Sequence, residues 1–74
     1  MEQKKIALTV QEASEYTGIG RNNLRSLLAW EKIPSIRVGK KILIRIEVLE
    51  QFMRLNDGIN LTKKQEVIAV WKRE

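Results

Sequence analysis

The sequence predicts one small α+β domain: two short helices meeting at a glycine corner, then a β-hairpin and a third helix, then a C-terminal helix or tail. Three observations carry that prediction. Apolar residues recur at helical spacing on both sides of Gly18-Ile19-Gly20, and apolar and polar residues alternate around Gly39, downstream of Pro34. The third is size: 74 residues, 43% hydrophobic and 31% charged, suit a single globular domain with a small core.

The first helix begins at a capping box. In Thr9-Val10-Gln11-Glu12 the Thr9 hydroxyl can accept from the Glu12 amide while the Glu12 carboxylate reaches back to the Thr9 amide. Val10, Ala13 and Tyr16 or Thr17 then fall at helical spacing, which predicts a helix over 10–17, with Tyr16 in the core. Ile6 to Leu8 is read as a short strand leading into it. Gly18 suits a left-handed helix end, and Gly20 can cap the next start.

A second helix is expected from Arg21 to about Glu31. Leu24, Leu27 and Leu28 form one stripe and face the core, so the opposite face holds Asn22, Ser26 and Ala29, with Arg25 and Trp30 towards its edges. Trp30 is read as a rim residue packing on the hairpin. Two helices joined by three residues make a tight corner of the helix-turn-helix kind, which leaves the start of the second helix protruding. Arg21, Asn22, Asn23, Arg25 and Ser26 lie there. All can hydrogen-bond base edges or phosphates, and the free amides of a helix start favour phosphate too. Solvated first-turn residues would look the same, and only the glycine corner favours readout.

Ile33-Pro34 forces an extended chain. Ser35 to Arg45 then reads as a hairpin whose inward residues are Ile36, Val38, Ile42 and Ile44. Those four share a face if Val38 pairs with Ile42 and Ile36 with Ile44, through a three-residue loop, Gly39-Lys40-Lys41. That register places two lysines at the tip and Arg37 beside Leu43 on the outer face.

The third helix spans about Ile46 to Leu55, anchored by Leu49 and Phe52 and flanked by Val48 or Met53. Its start lacks a good cap. Asn56-Asp57-Gly58 is a strong stop, which divides residues 1–58 from an extension over 59–74. Thr62-Lys63-Lys64-Gln65 offers a capping box for a final helix through Lys72. Val67, Ile68, Val70 and Trp71 cover more than one of its faces. They either pack back on the domain or dock on a partner, with Val67, Ile68 and Trp71 the candidate partner-binding residues.

Charge is distributed unevenly. The net +5 comes from 14 Lys and Arg against 9 Asp and Glu, yet residues 21–45 contain seven of those cations and one acid, Glu31. A segment of this kind attracts a polyanion, nucleic acid being the usual one. On charge alone, a basic face that keeps the protein soluble stands level with that reading.

The chain has no cysteine and no histidine. That excludes a disulfide scaffold and any zinc site built from those ligands, and it removes the commonest general base. No metal, cofactor or small-molecule substrate is expected, and no catalytic residue. Glu12, Glu15, Glu47 and Glu50 read as helix caps or surface charges, because a catalytic pair would need a pocket that so small a core can scarcely build. No apolar run is long enough to span a membrane and no signal peptide is visible, so the expected location is cytoplasmic.

The order of strand, helix, glycine turn, helix, Pro-led hairpin and helix resembles the small winged helix-turn-helix proteins of the excisionase family, related to the MerR-type DNA-binding domain. Four stretches carry the resemblance: Leu8 to Ser14, Gly18 to Arg21, Ile33 to Lys40, and Ile44-Arg45 through Leu49 and Phe52. Together they cover residues 6–55. Departures are Val48, where many relatives have an acidic residue, and Trp30-Glu31, where many have a glycine. MerR-type regulators usually append a long dimerisation helix and an effector domain, and neither is present in these residues.

The resemblance implies a DNA-binding architectural role without catalytic activity. Such proteins bind direct repeats near a recombination site on double-stranded DNA and bend it. They thereby help a tyrosine recombinase (integrase) to excise a mobile element or prophage. Carried over by position, Arg21, Asn22, Asn23, Arg25 and Ser26 would be recognition-helix residues in the major groove. Lys40 and Lys41, with Arg37 nearby, would be wing residues on an adjacent minor groove or its phosphates. One small domain covers few base pairs, so neighbouring copies on DNA are expected partners. The alternative is a small transcriptional regulator built on the same domain. A protein-interaction adaptor without DNA function is a third possibility, and it would show no shift of any duplex at about 100 mM salt.

Overall fold

The computed structural model describes residues 5–70. In chain order it contains β1 (Ala7–Leu8), α1 (Val10–Thr17), α2 (Arg21–Ala29), β2 (Ile36–Val38), β3 (Lys41–Arg45) and α3 (Ile46–Leu55). The strands form one antiparallel sheet in the order β1-β3-β2, which completes a small winged helix-turn-helix.

Local chemistry sets the bounds of each helix. At α1 the expected capping box is present: Glu12 N–H donates to Thr9 Oγ1 at 3.2 Å, and Thr9 N–H donates to Glu12 Oε1 at 3.0 Å. Lys5 adds an ion pair to the same carboxylate. Hydrogen bonding from Lys5, and then from the Thr9 backbone, holds the Glu12 carboxyl below its ordinary value of 4.5. A depressed carboxyl stabilises the fold fully above that ordinary value, and the contribution fades as pH falls below it. Gly18 ends α1 at φ +83°, with its N–H donated to Ser14 O at 2.8 Å. Thr17 stiffens the corner, since its hydroxyl donates to Ala13 O and accepts from Ile19 N–H.

The end of α2 departs from expectation. The helix stops at Ala29, and the next residues close a Schellman turn, with Lys32 N–H donating to Leu27 O at 2.9 Å and Glu31 N–H to Leu28 O at 3.0 Å. That motif needs a left-handed residue, and here it is Glu31, at φ +63°. The strain sits in the Trp30-Glu31 pair, one of the two departures from the resemblance. For α3, no side chain caps the start. The backbone supplies the partner instead, as Ile46 N–H donates to Ile6 O, next to β1, at 3.1 Å.

Leu24, Leu27, Ile44, Leu49 and Phe52 are fully buried and form one cluster with Leu8, Val10, Ala13, Ile33, Val48, Val67 and Val70. Each large apolar side chain withdrawn from water contributes roughly 1.5–3 kcal/mol before conformational entropy is counted. Met53 is outside this cluster, and Tyr16, expected in the core, is 53% exposed, its hydroxyl donating to Glu50 Oε2 at 2.9 Å. The phenol bridges α1 and α3 at the surface.

The hairpin register differs from the three-residue loop expected. Val38 pairs with Lys41, Arg37 with Ile42 and Ile36 with Leu43, around the two-residue turn Gly39-Lys40. Gly39 has φ +63° and Lys40 does not have a positive φ, the pattern of a II′ turn with glycine first. Ile44 remains buried because β1 pairs it with Leu8 over the core. Ile36 and Val38 are 46% and 57% exposed. β2 projects past the core, so burial had no hold on its register there and the turn chemistry prevailed. The consequence is a reversal: Arg37 shares the inward face with Ile42 and Ile44, while Ile36, Val38 and Leu43 line the outer one.

The expected C-terminal helix is also corrected. Between residues 59 and 70 the chain makes turns and then an irregular run, with no helix. Asn60 Oδ1 accepts from Thr62 N–H at 3.0 Å and from the Thr62 hydroxyl at 2.7 Å, which engages the hydroxyl expected to cap a helix. Val67 and Val70 are each 4% exposed and belong to the protein's own core, so Val67 is not available as a partner-binding residue. Ile68 is exposed, and Trp71 lies outside the described residues.

Replacing Glu31 by glycine tests the strained turn. A left-handed L-residue costs roughly 1–2 kcal/mol, and the extra freedom glycine brings to the unfolded chain returns part of it. We expect Glu31→Gly to stabilise the fold by about 0.5–1 kcal/mol, seen as a thermal midpoint about 3–6 °C higher by circular dichroism. A lower midpoint would contradict the Schellman assignment.

Candidate nucleic-acid interface

Burying Leu24 and Leu27 turns the opposite face of α2 outward. Arg21, Asn22, Asn23 and Arg25 are exposed, and Ser26 is half-buried at the edge of that face. The first four, with Gly20, line an open concavity at the helix start. Gly20 offers no side chain, and nothing beyond its chain neighbours lies within 4 Å of where a Cβ would sit, so the first-turn amides stay approachable.

A second concavity continues from the far end of the same helix. Leu28, Glu31, Ile33, Pro34, Ser35 and Arg37 line a cleft between the end of α2 and the wing. Arg37 reaches this cleft because the two-residue turn puts its side chain on the inward face of the sheet. The sequence reading had set it on the outer face with Leu43. Lys40 stands at the tip of the wing and Lys41 on the outer face opposite Val38, both exposed. Of the eight expected residues, Arg21, Asn22, Asn23 and Arg25 come together at the helix start and Arg37 lines the cleft at the helix end, whereas Ser26, Lys40 and Lys41 line neither concavity.

Glu31 and Ser35 line this cleft although charge and spacing do not single them out as site residues; the signal in the sequence is that Glu31 is the one acid of the basic segment. Among the described residues, ion pairs join Lys5 to Glu12 and Arg45 to Glu47, the latter at 3.1 Å. None engages Arg21, Arg25, Arg37, Lys40 or Lys41, so α2 and the wing carry five exposed cations that make no ion pair among the described residues. No His, Cys, Asp and Glu grouping suited to a metal ion occurs among the described residues.

The model of a family described as "Helix-turn-helix domain" matches residues 7–56, from β1 to the end of α3. The chain belongs to that family. No curated protein and no solved structure matches it significantly. The helix-turn-helix family includes excisionase-like DNA-binding proteins, and membership supports duplex DNA as a partner of this domain. Within the helix-turn-helix frame α2 occupies the position of the second helix, the one whose start enters a groove. No helix among the described residues is long and apolar enough to cross a membrane.

An unpaired cationic side fixes how binding must respond to salt. With roughly five to seven cations meeting phosphates, log K for a duplex is expected to fall against log salt with a slope of about −5 to −6. Fluorescence anisotropy with a labelled duplex over a salt series measures it. A slope near zero would exclude this side as the contact surface.

Proposed function

We propose that the protein is a sequence-specific, non-catalytic architectural factor that bends DNA beside a recombination site. In this role it directs a tyrosine recombinase (integrase) towards excision of a mobile element or prophage. The observation that carries DNA binding is the exposed start of α2 joined to a basic wing. The residues able to read bases, Asn22, Asn23, Arg25 and Ser26, lie between cations suited to phosphate. Arg25 would reach a guanine edge and the asparagines an adenine edge in the major groove. Arg37, Lys40 and Lys41 would hold the backbone at the adjacent minor groove. Reaching both grooves from one small domain favours a bent duplex, because bending brings more backbone against the wing.

The excision role rests on the four stretches of resemblance, two of which form the glycine corner and the wing. A single copy reads few base pairs, so several copies on adjacent repeats would supply the specificity. In-register repeats would place neighbouring wings close together, where the exposed Ile36 and Val38 are available to a second copy.

Selection of a binding site from random duplexes, followed by footprinting and a circular-permutation bending assay, tests this reading. The expected result is protection of tandem repeats beside a recombination core, position-dependent mobility of the bent complexes, and more excision product when the cognate recombinase is added. A single operator over a promoter, bound without bending, would instead make the protein a transcriptional regulator.

A further inference from the structure

The segment after the helix-turn-helix match is bound into the fold at two points. Asn56, at the end of α3, is a buried polar residue, only 6% exposed. Its Oδ1 accepts from Ile68 N–H at 2.7 Å, and its Nδ2 donates to Ile68 O at 2.9 Å and to Phe52 O at 3.0 Å. One side chain thus closes α3 and grips both backbone groups of a residue twelve positions later. Two residues further on, Val70 N–H donates to Lys32 O at 2.9 Å.

Lys32 is the last residue of the Schellman turn, between the recognition helix and the wing. Its N–H is already held by Leu27 O. Its peptide groups are therefore fixed from both sides, by α2 through the nitrogen and by the C-terminal segment through the oxygen. Ile33 follows, buried at 2% exposure, and Pro34 limits the chain that leads into β2. Val67 and Val70 flank the grip on Ile68 and sink into the core on either side of it.

We propose that residues 59–70 are a strap that sets the position of the wing relative to the recognition helix, with Asn56 and Val70 as positioning residues for DNA binding. The proposal rests on the DNA-binding reading above. A packed tail could stabilise the domain from anywhere on its surface, whereas this one ends its described path on the carbonyl of the turn joining the two DNA-facing elements. Loosening it would free that turn on the wing side while leaving the corner between α1 and α2, with its own glycine and threonine bonds, intact.

The test is a double-mutant cycle in the full chain, with duplex affinity read at about 100 mM salt under conditions where circular dichroism shows every variant folded. Lys40→Ala probes the wing and Arg25→Ala the helix, each in the wild-type and in the Asn56→Ala background. We expect Lys40→Ala to weaken binding about 3- to 10-fold in the wild type and less than about 2-fold with Asn56→Ala. Arg25→Ala should cost the same factor in both. Val70→Ala, which keeps the hydrogen bonds and removes part of the apolar anchor, serves as the loosened background if Asn56→Ala does not fold. An equal loss from Lys40→Ala in both backgrounds would overturn the strap and leave DNA binding standing. Absence of binding by the wild-type chain would instead sink the reading beneath it.

Discussion

Burial of Leu24 and Leu27 in one cluster with Ile44, Leu49 and Phe52 is the constraint on which the rest of the molecule depends. It fixes the rotation of α2, so that Asn22 and Arg25 have nowhere to point but outward. The same cluster holds Ile44, and through it the root of the wing. α2 and the root of the wing are thus anchored to one small core. A domain of this size has few apolar residues to spare, which explains why Val67 and Val70 are recruited from the C-terminal segment.

The basic segment is best understood against that frame. Its cations cluster in sequence because α2, the turn and the wing are consecutive, and the fold keeps them together in space. Among the described residues only Arg45 of these cations is ion-paired, with Glu47, and like charges held close raise the free energy of the isolated protein, a cost relieved by a polyanion. Glu31 is the segment's one acid, in a strained backbone position and lining the same cleft as Arg37.

Elements with local chemical signals were legible in the sequence. Thr9 with Glu12, Gly18, and the spacing of Leu24 with Leu27 and of Leu49 with Phe52 located three helices, because caps and stripes act within a turn or two. The exposed positions on α2 followed from the same stripe. What failed was long-range. Burial of Ile36 and Val38 would favour the three-residue loop, yet the core does not extend beneath β2, and Gly39 sets a two-residue turn. Tyr16 was placed inside by spacing alone, whereas its hydroxyl finds Glu50 at the surface. The C-terminal capping box reads as a helix start, but Asn60 engages Thr62, and Asn56 holds both backbone groups of Ile68. Neither partner of those tertiary contacts announces the other in the sequence.

If the start of α2 and the basic wing form a single DNA-contacting side, both should respond together when the isotope-labelled protein is titrated with its selected duplex and followed residue by residue through backbone amide NMR shifts. The largest shifts are expected at Arg21 to Ser26 and at Arg37 to Lys41, with the Tyr16–Glu50 face unchanged. Shifts centred on Tyr16, Glu50 and Met53, with Arg21 to Ser26 silent, would contradict that arrangement.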